Sequence, residues 1–118
     1  MVLVVVDDLL FRSKISTTAK AVGATIAAAT TAEAAVARAR ELTPSLVILD
    51  LDSVRTQPFE VLRRFSEEPD LVRIPTLGFV AHVHTDVIRQ ARALGIGEVL
   101  ARSAFVATLP EILSRGTA

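Results

Sequence analysis

The segment SLVILDLD, residues 45–52, decides the predicted fold of this chain. It contains four consecutive apolar residues, followed by two aspartates that are separated by one leucine. A short apolar run with β-branched residues is typical of a strand covered on both faces, as in the centre of a parallel sheet. Asp50 would then lie at the carboxyl end of that strand, where open α/β sheets bind their ligands. Asp50 is therefore the first candidate for a functional side chain.

The composition limits the classes of protein to which the chain can belong. Its 118 residues are enough for one domain with a substantial core, which must be aliphatic because 51% are hydrophobic and only 4% aromatic. Thirteen basic and thirteen acidic residues cancel without a polybasic block, so we expect neither a nucleic-acid partner nor a membrane partner. Without cysteine, the chain has no disulfide and no thiolate nucleophile. The opening MVLVVVDD is too short for a signal peptide, and we expect a cytoplasmic protein.

Strands and helices are predicted to alternate around the central segment. The predicted strands are residues 2–6, 24–29, 45–52, 74–80 and 98–101. The predicted helices are residues 9–22, 32–42, a helix from Pro58 through Phe65, residues 85–95, and a short last helix opened by Thr108 and Glu111. Thr30 and Glu33 have the spacing of a capping box in front of the second helix.

This alternation predicts an α/β fold over residues 1–118, with helices on both faces of one parallel sheet. We expect a doubly wound, flavodoxin-like (βα)5 domain with strand order 2-1-3-4-5.

Four aspartates would converge in such a sheet. The first and third strands are neighbours, and Asp7, Asp8, Asp50 and Asp52 follow their carboxyl ends. Clustered carboxylates repel one another, so at neutral pH they need either a cation or raised pKa values. A ligand set made only of oxygen suits a hard cation, and Mg²⁺ often bridges carboxylates and phosphate. We therefore expect a magnesium site at this edge that could bring a phosphoryl donor close to a carboxylate.

Four pieces of the sequence resemble the receiver domain of bacterial two-component response regulators, and together they span nearly the whole chain. They are VVVDD at residues 4–8, LVILDLD at 46–52, IPTLGFVAH at 74–82 and GIGEVLARSAF at 95–105. The resemblance implies that Asp50 accepts a phosphoryl group from a histidine kinase or phosphotransfer protein. It also implies that Asp7 and Asp8 help Asp50 to hold Mg²⁺, with the main-chain carbonyl of Asp52 completing the site.

Several positions depart from the family pattern. Val80 replaces the Ser or Thr that ends the fourth strand and donates to a phosphoryl oxygen. Arg102 replaces the lysine that follows the fifth strand, keeping the charge but changing its length and shape. Ser103 replaces a proline usually preceded by a cis peptide, and Val99 replaces the switch aromatic, whereas Ala81 keeps the small side chain that leaves access to Asp50. We therefore predict an atypical receiver whose acidic residues are retained and whose Thr/Tyr switch is lost.

Two other functions fit the sequence. The first is a docking module that works without phosphorylation and binds a protein target through its fourth helix, fifth strand and fifth helix. The second is a phosphatase of the haloacid-dehalogenase type, with Asp50 as nucleophile and Asp52 as general acid/base. We favour the receiver and expect no enzyme, with a downstream protein target or effector domain as partner and a homodimer left open. His82 and His84, just past the fourth strand, are expected to be solvated loop residues.

Overall fold

The computed structural model describes residues 1–82 and 84–117 and contains one five-stranded parallel sheet in the order β2-β1-β3-β4-β5. The strands are β1 (Val2–Val5), β2 (Ile26–Ala29), β3 (Leu46–Asp50), β4 (Thr76–Val80) and β5 (Glu98–Ala101). The helices are α1 (Leu9–Val22), α2 (Ala32–Leu42), α3 (Pro58–Glu67), α4 (Thr85–Ala93) and α5 (Arg102–Thr117). The predicted fold class and strand order are confirmed.

The register of the central strands brings the functional candidates to one edge. Val5 pairs with Leu49 across β1 and β3, so the residues that follow β1 lie beside the end of β3. Asp50 pairs in turn with Phe79 on β4. Because all four pairings are parallel, the carboxyl ends of the five strands share this edge.

Side chains of the central strands pack into a separate aliphatic core on each face of the sheet. Leu3, Val5 and Leu49 belong to the core beneath α2 and α3, whereas Val4 and Ile48 belong to the core beneath α1 and α5. Adjacent residues of a strand point to opposite faces, so a strand buried on both sides must be apolar throughout. This requirement explains the uninterrupted aliphatic runs in the sequence.

Side-chain and backbone caps fix the ends of the first two helices. Asp8 caps the beginning of α1, and Gly23 ends it in the left-handed region with φ 73°. The predicted Thr30–Glu33 capping box is wrong by one residue, because the Thr31 hydroxyl accepts the Ala34 N–H at 3.1 Å. Thr31 has the extended backbone that an N-cap needs.

The last helix differs most from the prediction. A short helix opened by Thr108 and Glu111 was expected, but α5 begins at Arg102, directly after β5, and runs for 16 residues. Thr108 lies inside it, and its hydroxyl donates to the Ala104 carbonyl at 2.7 Å. Pro110 is exposed within the helix. Burial of Phe105, Leu109, Ile112 and Leu113 against the sheet outweighs the helix-breaking tendency of this proline.

The other boundaries agree with the predictions to within two residues. β1, β2, β3 and β4 are each shorter than predicted, and α4 ends at Ala93 rather than Gly95. No helix within residues 1–82 and 84–117 combines the length and apolar character needed to span a lipid bilayer.

Thr43 has a strained backbone that provides a test of the helix ends. It ends α2 in the left-handed region with φ 45°, which is unfavourable for a β-branched residue. Thr43→Gly is expected to raise the free energy of unfolding by about 0.5–1 kcal/mol, because relief of strain exceeds the added entropy of the unfolded chain. Urea denaturation measures the change.

The matched control for this test is Gly23→Ala. Gly23 has φ 73° and nothing within 4 Å of an added Cβ, so the substitution introduces backbone strain without a steric clash. A loss of about 1 kcal/mol is expected. A Thr43→Gly protein that unfolds at lower urea concentration than the parent would contradict the strain argument.

Candidate functional site

Asp50 ends β3 and forms the floor of the candidate site. Asp50 is only 5% exposed, although it lies at the carboxyl edge of the sheet. One carboxylate oxygen, Oδ1, accepts the Asp52 N–H at 3.0 Å, and the Asp50 carbonyl accepts the Ser53 N–H at 3.2 Å. These bonds fold the chain back over the end of the strand and fix the orientation of the carboxylate.

The surroundings of Asp50 raise its pKa above the usual value. Burial is the largest cause, and the negative charges of Asp52 and Asp7 act in the same direction. The hydrogen bond from the Asp52 N–H and the positive charge of Arg102 oppose them without reversing the shift. The carboxylate of Asp50 therefore carries an uncompensated electrostatic cost that a cation would relieve.

Ser53 connects Asp7 to the loop that follows β3. The Ser53 hydroxyl donates to Oδ1 of Asp7 at 2.9 Å and accepts the Thr56 N–H at 3.2 Å. Asp7 belongs to the β1–α1 loop, so this bond ties two neighbouring loops at the mouth of the sheet.

Asp8 has a structural task at the start of α1. Its Oδ1 accepts the Phe11 N–H at 3.1 Å, which satisfies a free donor of the first helical turn. An aspartate directly before a predicted helix is a recognised capping signal, so this role was open to prediction from the sequence.

The Asp52 side chain links the loops that follow β3 and β4. Its Oδ2 accepts the Ala81 N–H at 2.6 Å, a short, charge-assisted hydrogen bond. Ala81 is exposed and comes directly after Val80, the last residue of β4. The β4–α4 loop is therefore held across the mouth by a carboxylate of the β3–α3 loop.

Arg102 lies on aromatic rings at the other side of the site. The centre of its guanidinium is 4.7 Å from the ring centroid of Phe11 and 5.8 Å from that of Phe79. Its Nε is buried without a hydrogen-bond partner, and the described part of the chain offers the guanidinium no ion pair. Its positive charge nevertheless acts to lower the pKa of Asp50, against the larger effect of burial.

The structure places the four predicted acids at one edge but gives each a different partner. Across residues 1–82 and 84–117, no three acidic or histidine side chains lie close enough together to enclose a metal ion. The donor chemistry of Asp7, Asp8, Asp50 and the Asp52 carbonyl, which is all oxygen, fits a hard cation. Their joint role as ligands stays a prediction.

The predicted switch residues lie on the two strands next to β3. Val80 is fully buried at the end of β4 and pairs with Ala101, the residue before Arg102. Val99 is partly buried in β5 and pairs with Gly78. His82 and His84 are both exposed, as expected for loop residues.

Three contributors to the site were not identified from the sequence. Phe11 and Phe79 contact the Arg102 guanidinium, and Ser53 donates to Asp7. Aromatic residues make up only 4% of the chain, and this rarity is a signal that could have drawn attention to the two rings. Ser53 has no comparable signal, because a hydroxyl in a loop has many local partners.

No protein-family model and no curated protein matches the sequence. Solved structures match over almost the whole chain. The chemotaxis protein CheY4 of Vibrio cholerae has a TM-score of 0.84 at 22% identity, covering 98% of this chain and 96% of that one. The receiver domain of NtrX from Brucella abortus has a TM-score of 0.82 at 18% identity, covering 99% and 98%.

The Mn²⁺-bound form of the response regulator Rcp1 is also similar. Its TM-score is 0.77 at 22% identity, covering 97% of this chain and 88% of that one. At these identities the similarity establishes the architecture: the chain has the fold of response regulator receiver domains.

The Asp52–Ala81 bond can be tested directly. Asp52→Ala is expected to lower the free energy of unfolding by about 1 kcal/mol and to speed hydrogen exchange of the Ala81 amide. The loss is at the low end for a charged bond because Ala81 is exposed and its amide can bind water instead. Asp52→Asn retains an acceptor oxygen and should fall between the parent and the alanine variant. Unchanged Ala81 exchange in Asp52→Ala would contradict the contact.

The raised pKa of Asp50 predicts how stability depends on pH. Asp50 favours the folded state most below its unfolded pKa of 3.8, and this contribution is lost as pH rises through the raised folded pKa. Asp50→Asn is therefore expected to increase the free energy of unfolding at neutral pH in metal-free buffer. The gain should shrink as pH falls to 3.8, and urea titrations at several pH values would measure it.

A control for this pH dependence is Glu41→Gln. Glu41 is exposed and has no partner in the described part of the chain, so a change within about 0.5 kcal/mol is expected at every pH. An Asp50→Asn protein that is less stable than the parent at neutral pH would show that burial does not penalise this carboxylate.

Proposed function

We propose that the chain is a receiver domain that accepts a phosphoryl group on Asp50 from a histidine kinase or phosphotransfer protein. One observation carries the proposal. Asp50 is 5% exposed at the carboxyl edge of the sheet, where the negative charges of Asp52 and Asp7 and the positive charge of Arg102 act on its carboxylate. A positive charge near a nucleophilic carboxylate stabilises the negative charge of an incoming phosphoryl group.

The transfer follows from the chemistry of the residues present. A carboxylate oxygen of Asp50 attacks phosphorus of a phosphohistidine, the P–N bond breaks, and the imidazole leaves and takes up a proton. Asp7, Asp8, Asp50 and the Asp52 carbonyl would hold Mg²⁺, which when bound supplies charge neutralisation for the transferring group. The similar response regulator Rcp1 has a Mn²⁺-bound form, which supports the proposal of a divalent cation for this chain.

Exposed apolar residues near the acids support a protein as the phosphoryl donor. Leu9 and Leu10 follow Asp8, and Val54 lies in the β3–α3 loop, and all three are exposed. Apolar side chains grouped around a polar site are typical of a protein contact surface. A small-molecule phosphoryl donor does not need such an apolar surface for binding.

The readout of phosphorylation differs from the family pattern. Val80 has no hydroxyl to donate to a phosphoryl oxygen, and such a bond to a charged group is worth about 1.5–3 kcal/mol. Val99, partly buried, cannot act as a switch aromatic. We infer that phosphorylation acts here through Arg102 and the Ala81 loop, and that the downstream protein target recognises that change.

A second candidate is a docking module that works without phosphorylation. Each predicted acid already accepts an N–H or O–H from its own chain: Asp7 from Ser53, Asp8 from Phe11, Asp50 from Asp52 and Asp52 from Ala81. A site with these bonds intact holds its loops without a phosphoryl group, which favours a constant binding surface on α4, β5 and α5. The phosphatase hypothesis gains no such support, because the carboxylate of Asp52, its proposed acid/base, is bonded to the Ala81 amide.

Incubation with acetyl phosphate and Mg²⁺ tests the proposed function. The parent protein should gain the mass of one phosphoryl group, and beryllofluoride with Mg²⁺ should shift amide resonances around Asp50 and Ala81. Asp50→Asn should abolish both effects, because an amide is not a nucleophile at phosphorus. Intact-mass spectrometry and two-dimensional NMR give the two readouts.

The matched control is Asp86→Asn, which removes an exposed aspartate from the first turn of α4. It should be phosphorylated like the parent. Absence of modification in the parent would leave the docking module as the better proposal, and modification that persists in Asp50→Asn would place the acceptor elsewhere.

A further inference from the structure

Arg102 is held in an unusual way for a functional cation. Its guanidinium has no hydrogen bond or ion pair with residues 1–82 and 84–117, and its Nε is buried. A buried donor without a partner is costly, so something else must keep the side chain in place. The contacts that do so are the faces of two aromatic rings, Phe11 and Phe79.

These rings belong to a cluster of three phenylalanines. Phe79 lies 4.9 Å from Phe11 and 4.6 Å from Phe105, and Phe11 lies 5.9 Å from Phe105, all between ring centroids. Phe79 and Phe105 are fully buried, whereas Phe11 is half-buried on α1. Phe11 is therefore the partly exposed ring of this cluster, and the Arg102 guanidinium lies 4.7 Å from its centroid.

The position of Phe11 is itself fixed by the acidic edge. Asp8 caps α1 by accepting the Phe11 N–H at 3.1 Å, so the backbone that carries the ring is bonded to one of the candidate acids. Contacts thus run from Asp8 to Phe11 and from the Phe11 ring to Arg102. A guanidinium that is held over a ring by cation–π attraction does not use its N–H groups for that contact, so its terminal N–H groups stay available for an oxyanion.

We propose that Phe11 is a positioning residue that holds the Arg102 guanidinium beside Asp50 with its N–H edge free for the oxygens of a phosphoryl group. This inference rests on the proposed function for the identity of the oxyanion. The contact between the Phe11 ring and the guanidinium is independent of the proposed function. The ring contact also gives a physical reason for arginine at position 102. The planar guanidinium lies over rings that the ammonium group of a lysine would contact less extensively.

The experiment compares Phe11→Leu, Phe11→Tyr and Phe105→Leu with the parent. In the free protein, ring currents should shift the Arg102 Nε–H resonance upfield, and Phe11→Leu should remove most of that shift. Phe11→Tyr keeps a ring and should restore it. Phe105→Leu removes the ring of the same cluster that stacks on Phe79, whereas the guanidinium lies over Phe11 and Phe79, so it should lower stability while leaving the resonance in place.

Beryllofluoride binding in the presence of Mg²⁺ gives the functional readout. Phe11→Leu should bind it about fivefold more weakly than the parent, and Phe11→Tyr should bind it nearly as well. An unchanged Arg102 resonance in Phe11→Leu overturns the proposal, as does an equal loss of affinity in Phe105→Leu. If the parent itself binds no beryllofluoride, the proposed function fails. The Arg102 Nε–H resonance of the free protein then still tests whether the Phe11 ring contacts the guanidinium.

Discussion

The parallel pairing of β1 with β3 is the constraint on which the rest of the structure depends. Val5 pairs with Leu49, so the chain leaves both strands at the same level, and Asp7 and Asp8 lie at the same edge of the sheet as Asp50. The pairing requires apolar side chains on both faces of each strand, since helices cover the sheet on both sides. Aliphatic burial therefore drives together carboxylates that repel one another in water.

Within residues 1–82 and 84–117, hydrogen bonds rather than ion pairs offset this repulsion. Main-chain and hydroxyl donors from the loops and from the first turn of α1 serve all four aspartates, and these bonds link the loops after β1, β3 and β4. Arg102 supplies positive charge without bonding to any of the acids, because the rings of Phe11 and Phe79 hold it. The loops at this edge are thus held by their own hydrogen bonds, and the positive charge of Arg102 acts on the buried carboxylate of Asp50.

This arrangement bears on the proposed function. A receiver without the switch hydroxyl and the switch aromatic would need another connection between Asp50 and the surface that a partner recognises. The bond from Ala81 to Asp52 provides a physical link, since it joins the acidic loop to the segment that leads into α4. In the docking alternative the same bond holds that segment permanently.

Much of the fold could be predicted from the sequence, because uninterrupted aliphatic runs and helical periodicity are local patterns. They fixed the alternation, the parallel sheet and the position of Asp50 at the end of β3. The beginning of α5 was missed because Thr108 and Glu111 have the spacing of a capping box, whereas burial of Phe105 and Leu109 extends the helix back to Arg102. The cap at Thr31 was missed by one residue, because two adjacent threonines are equivalent until the backbone selects one.

The sequence by itself determined which residues end the strands, since strand ends follow from where apolar runs stop. Only the tertiary structure decided what those residues touch: Ser53 on Asp7, Ala81 on Asp52 and Arg102 on Phe11. Each of these contacts joins segments far apart in the chain, and their distances depend on how loops and helices pack after the sheet has formed. Local patterns carry no information about such distances, because hydrogen bonds and ring contacts act only over a few ångströms.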